Sequence, residues 1–139
     1  MKIKKFNNYY VLRLQKGEEI ISALQAAARI SKINSGFFFG LGVGKDLVLG
    51  YFDAQHKTYI KKAFEGEFEF SSFAGDVSRF EGETVVHCHV TITDKNFSAF
   101  GGHLFQGVIP ATCEIIIFPF KKILERKKDR VTGLNLIDI

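Results

Sequence analysis

Between Thr84 and Thr93 the chain reads Thr-Val-Val-His-Cys-His-Val-Thr-Ile-Thr, and no other stretch narrows its possible folds so sharply. β-Branched residues dominate the run, which favours a strand. Successive side chains on a strand point to opposite faces, so His87 and His89 share one face and Cys88 takes the other. Gly101-Gly102-His103-Leu104 lies a short way downstream. Pairing of the two segments would bring three of the chain's four histidines together.

Three neutral imidazoles with a water form an open zinc site, in which the free position serves chemistry or a ligand. The same spacing also suits a half-exposed strand face, or histidines hydrogen-bonded within a polar patch. Spacing alone leaves these readings open.

The 139 residues suit a single domain over residues 1–139, long enough to bury a substantial core. Fifteen phenylalanines without a tryptophan point to a large aromatic core, or to apolar surface covered by another subunit. No apolar run is long enough to span a bilayer. Met1-Lys2-Ile3-Lys4-Lys5 is basic, but Asn7 and Asn8 stand where a signal peptide needs an apolar stretch. A cytoplasmic location is the expectation. Cys88 and Cys113 suit reduced core thiols better than a disulfide framework.

The net charge of +4 is concentrated in one segment. Lys121, Lys122, Arg126, Lys127, Lys128 and Arg130 stand there against Glu125 and Asp129, which leaves the rest of the chain neutral. Such a run contacts phosphate in some proteins and is a solvated face in more of them.

From Asn8 to Gln15 the pattern alternates as a strand, with Tyr10, Leu12 and Leu14 on one face and Arg13 among the others. Lys16-Gly17 turns the chain. Glu18 and Glu19 open a helix, where acidic groups complement the macrodipole, and Ile20, Ile21, Leu24, Ala27 and Ala28 form its apolar side. Gly40, Gly42 and Gly44 alternate along a strand and leave room for the helix or a neighbouring element to approach. They match neither phosphate-loop nor dinucleotide spacing. Short strands are expected at Leu47–Asp53 and Thr58–Ala63, with residues 54–57 as a hairpin loop that leaves His56 solvated. Glu65, Glu67 and Glu69 oppose Phe64, Phe68 and Phe70 and should face water. Glu114, within the apolar strand 111–118, needs a partner, and Arg13 is a candidate. Pro119 ends that strand or marks an edge, and a last strand closes the chain.

Several of these pieces, in this order, resemble the PPC domain, the plant and prokaryote conserved family in its stand-alone prokaryotic form. They are Leu12-Arg13-Leu14 with Lys16-Gly17-Glu18, Gly66-Glu67-Phe68-Glu69 leading to Gly75, His87-Cys88-His89, Gly101-Gly102-His103-Leu104 and Thr112-Cys113-Glu114-Ile115. The closing Arg126, Asp129 and Thr132-Gly133-Leu134 fit as well. The resemblance implies a compact α/β (α+β) domain, an antiparallel-rich mixed sheet with one main helix packed on it, assembling as a homotrimer. It implies a metal, usually zinc, at His87, His89 and His103, and a DNA-binding role. The AT-hook of plant relatives is missing here.

Two functional readings follow. One is a trimeric binding module that organises partners or contacts nucleic acid through Lys121, Lys122, Arg126, Lys127, Lys128 and Arg130. The other is a small zinc-dependent enzyme or small-ligand sensor that uses an open metal position, with Glu114 or Asp94 as a candidate general base.

Overall fold

A computed structural model describes all of residues 1–139. The elements in chain order are β1 (Lys2–Phe6), β2 (Tyr9–Gln15), α1 (Ile20–Ile30), β3 (Gly36–Asp53), β4 (Thr58–Phe80), β5 (Glu83–Thr93), β6 (Ala99–Val108), β7 (Thr112–Pro119), β8 (Arg126–Lys128) and β9 (Asn135–Ile137). The first seven strands form one sheet in the order β1-β2-β7-β3-β4-β5-β6, and β6 also returns to pair with β3. Every ladder in it is antiparallel. A single parallel bridge joins Arg79 to Glu125. This is the antiparallel-rich sheet with one helix that the sequence leads one to expect.

The stretches 47–53 and 58–63 are not short independent strands. They are parts of β3 and β4, of 18 and 23 residues. The register shifts between Lys45 and Leu47, and Asp46 sits there at φ 51°. Its carboxylate accepts the Gly66 backbone N–H at 3.1 Å. An aspartate tolerates this left-handed conformation, so the bulge bends the strand without ending it. Up to Gly42, β3 pairs with β7 on one edge; beyond Lys45 it pairs with β6 instead.

One face of the sheet is the core. Leu12, Leu14, Phe38, Phe73, Val77, Cys88, Val90, Ile115 and Ile117 lie there fully or nearly fully buried. Helix α1 covers them with Ile20, Ala23, Leu24, Ala27 and Ala28. Glu19 caps it, accepting the Ile21 and Ser22 backbone N–H groups at 3.2 and 2.7 Å. Ile21, expected on the apolar side, is only half-buried. The alternate glycines of β3 make room for a strand: a Cβ at Gly40 would lie 2.7 Å from the Glu114 carbonyl oxygen of β7.

The opposite face carries Phe37, Phe39 and Leu41 of β3, with Phe118 of β7 and Tyr9 of β2. Phe39 stacks on Phe118 at 6.1 Å, Phe118 meets Tyr9 at 5.9 Å, and Tyr9 stacks on Phe6 at 5.6 Å. Leu41 is 69% exposed, and Phe37 and Phe39 are each 44% exposed. No helix of the chain is long and apolar enough to cross a membrane.

Candidate metal centre

Cross-strand register builds the site. His89 of β5 faces His103 of β6, and His87 faces Asp76 of β4. Asp76 and Ala74 in turn stand opposite Phe37 and Phe39, so the histidines occupy the same sheet face as the exposed aromatic residues. Cys88 points into the core, as alternation demands. Close strand approach helps: a Cβ at Gly102 would lie 2.7 Å from the Gly50 carbonyl oxygen, beside the residue pair Gly50–His103.

One potential ligand nitrogen from each of His87, His89 and His103 lies within 4.8 Å of the other two. Ring centroids are 5.1 to 5.4 Å apart. Burial lowers the pKa of His103 to about 4, and His87, His89, Lys61 and Arg126 add to the effect. Burial, then His87, lowers that of His89 as well. Neutral imidazole is the form that ligates a metal. His103 Nδ1 is buried without a hydrogen-bond partner. Such a group costs about 1–3 kcal/mol unless something at the site satisfies it. The three imidazole donors and the unpaired nitrogen fit a divalent cation.

The surrounding groups were not legible as site residues. Asp76 Oδ2 lies 3.4 Å from His87 Nδ1. Arg126 Nη2 donates to both oxygens of that carboxylate, at 2.9 and 2.7 Å, and lies 3.3 Å from His87 Nδ1. Its Nε donates to Ser78 Oγ and its Nη1 to the Asn135 carbonyl oxygen. Burial alone would raise the Asp76 pKa, but hydrogen bonds from His87, Arg126 and Ser78, with the Arg126 charge, hold it below the usual value. Phe105 and Tyr59 pack on the His103 ring at 4.6 and 5.3 Å. A cavity of about 470 Å³ opens over the histidines, walled by Phe52, Tyr59, Val85, Leu134 and Leu136 among others.

Other anticipated residues lie elsewhere. Glu114 is exposed, directly opposite exposed Arg13. Asp94 accepts the Asn96 and Ser98 backbone N–H groups in the turn after β5. Neither lines the cavity. His56 is exposed and bonded to Asp53 at 2.7 Å. Of the six basic residues, Lys121, Lys122, Lys127, Lys128 and Arg130 are exposed. Arg126 is not free with them: its side chain is 8% exposed and committed to Asp76. Burial, with nearby Glu114, pushes the Cys113 thiol up to about 12, and burial raises Cys88 further, so both remain protonated.

A model of the Plants and Prokaryotes Conserved (PCC) domain matches residues 1–121. No curated protein matches the chain in sequence. Among solved structures, a candidate DNA-binding protein from Bacteroides thetaiotaomicron superposes with a TM-score of 0.94 at 28% identity, covering 99% of this chain and 96% of its own. The plant- and prokaryote-conserved protein of Pyrococcus horikoshii gives 0.88 at 28% identity, covering 99% and 94%. A metal-containing protein from Archaeoglobus fulgidus gives 0.89 at 28% identity, with each chain covered completely.

Proposed function

Since this chain belongs to the Plants and Prokaryotes Conserved domain family, we propose that it is a homotrimeric, metal-bearing binding module of the cytoplasm. His87, His89 and His103 hold one divalent cation, zinc by the character of the donors. The observation that carries this reading is the convergence of three ring nitrogens within 4.8 Å. The description of the Archaeoglobus relative as metal-containing supports it. Elemental analysis of protein purified without a histidine tag tests it: near one zinc per chain is the expected result, lost in His103→Ala. Metal-free wild type that cannot be reloaded would end the proposal.

The trimer reading rests on the exposed phenylalanine face, since monomers rarely leave a contiguous apolar patch of that kind bare. Nucleic-acid contact falls to Lys121, Lys122, Lys127, Lys128 and Arg130, whose charges face solvent, with Arg126 withdrawn to the histidines. The Bacteroides neighbour, described as a candidate DNA-binding protein, supports that part. Two buried free thiols suit a reducing compartment.

The cavity favours a second reading, a small-ligand sensor or zinc-dependent enzyme. About 470 Å³ lies in the range of small-molecule sites, and its walls are largely apolar. His87, His89 and His103 would hold the ion, which when bound would supply a Lewis-acidic position able to lower the pKa of water toward neutrality. Of the chain's own residues, Phe105 and Tyr59 pack on the His103 ring, and Asp76 and Arg126 flank His87. The nearest carboxylate, Asp76, is held by Arg126 and is a poor general base.

A further inference from the structure

Arg126 belongs to the basic run that reads as a phosphate contact, yet its guanidinium is turned to a carboxylate of this chain. Its guanidinium reaches across from β8 to Asp76, Ser78 and the Asn135 carbonyl, so β8 and β9 are both tied to β4 through it. Residues 126–136 also supply Leu134, Asn135 and Leu136 to the cavity wall. This hairpin lies beyond the residues that the family model matches.

Two groups face the same nitrogen of His87. Asp76 Oδ2 is 3.4 Å from Nδ1, and Arg126 Nη2 is 3.3 Å from it. They demand opposite tautomers. A carboxylate takes a proton from Nδ1 and leaves Nε2 with a free lone pair. A guanidinium donating to Nδ1 leaves the proton on Nε2, where it blocks ligation. Arg126 Nη2 already donates to both carboxylate oxygens at shorter distances, so Asp76 is its stronger partner.

We propose that Arg126 and Asp76 are positioning residues of the metal centre: Arg126 clamps Asp76, Asp76 fixes His87 in the Nδ1–H tautomer, and metal affinity is thereby tied to docking of the β8–β9 hairpin. The inference rests on the metal reading above. Partners of this kind usually alter metal affinity by about 10–100-fold when removed. Because the cavity wall and the clamp share one hairpin, access to the metal and the orientation of one ligand are coupled.

The test is a zinc competition titration of wild type, Asp76→Asn and Arg126→Met, with the His87 tautomer read by long-range nitrogen–proton NMR in the metal-free proteins. Wild type should show Nδ1–H at His87. Asp76→Asn should move the population toward Nε2–H, because Arg126 then faces Nδ1 without competition. Both variants should bind zinc about 10–100-fold more weakly, and Arg126→Lys should recover only part of the loss. The exposed Lys16→Ala variant, away from the hairpin and the histidines, should bind zinc as wild type does. If Arg126→Met fails to fold by circular dichroism, Asp76→Asn carries the test, since it keeps the side-chain volume. Wild-type tautomer and affinity in Asp76→Asn would overturn the inference while leaving the metal reading intact. A folded wild type that takes up no zinc overturns both.

Discussion

His89 and His103 stand directly opposite one another in the β5–β6 ladder, their ring centroids 5.4 Å apart and their planes at 88°. The convergence of the three imidazoles is therefore a property of register. A one-residue slip of β6 against β5 would turn His103 to the core face and put Gly102 or Leu104 in its place.

The depressed His103 pKa makes the stability of the metal-free protein depend on pH. In the unfolded chain this histidine takes up a proton near 6.5, and in the folded protein only near 4. Between those values the unfolded state carries more protons, so stability is fully present above pH 6.5, declines as pH falls toward 4, and levels off below it. His89 contributes in the same direction. Urea midpoints of metal-free protein should fall steadily from pH 7 to pH 4, and His103→Ala should weaken that slope. A wild-type midpoint that does not move over this range would contradict the assignment.

Gly75 permits β4 and β5 to lie together at the site. A Cβ there would collide with the His87 carbonyl oxygen and approach the Phe38 ring to 2.6 Å. Gly75→Ala should destabilise the fold by about 1–3 kcal/mol in denaturant titration. Gly101→Ala, whose Cβ would meet the Val90 carbonyl oxygen at 3.1 Å, should be milder. Equal effects at the two positions would argue against close packing as the cause.

The exposed aromatic face predicts assembly. Wild type should sediment as three chains, and Phe39→Asp, which sets a charge between Phe118 and the histidine-bearing strands, should sediment as one. Circular dichroism of the variant should stay that of the wild type, because Phe39 lies outside the buried core. A monomeric wild type at micromolar concentration would dismiss the trimer.

Lys127 and Lys128 are the basic residues on which nucleic-acid contact is most readily tested. Binding to duplex DNA should weaken steeply with salt, and removing each phosphate contact should lower the logarithmic slope by about 1. Lys127→Glu with Lys128→Glu should reduce both affinity and slope. No binding at low salt, or an unchanged slope in the double variant, would remove this role.

Alternation made part of the site readable, because His87 and His89 must share a face wherever the strand lies. Adding His103 required knowing that β5 and β6 pair, which the order of motifs implied and local pattern did not. Asp76 carried no signal of its own: its place opposite His87 follows from a hairpin register fixed by the turn at Glu81 and Gly82. The pairing of Arg126 with Asp76 was not legible, because a basic run has the same appearance whether its members face solvent or a carboxylate. Strands β3 and β4 looked shorter than they are, since the residues that bend them, Asp46 and Gly66, are the types that also end strands. The helix was clear because its apolar period and the acidic residues at its start agree.

The return of β6 to β3 leaves the sheet little open rim. On one side the outermost strand is β1, which carries Lys2, Lys4 and Lys5. On the other, residues 58–68 of β4 pair with β3 alone, and Lys61, Lys62, Glu65 and Glu67 stud that stretch. Charge at an open rim opposes the strand-to-strand stacking by which β-rich chains polymerise. Rims so charged disfavour open-ended fibres of strands added edge to edge.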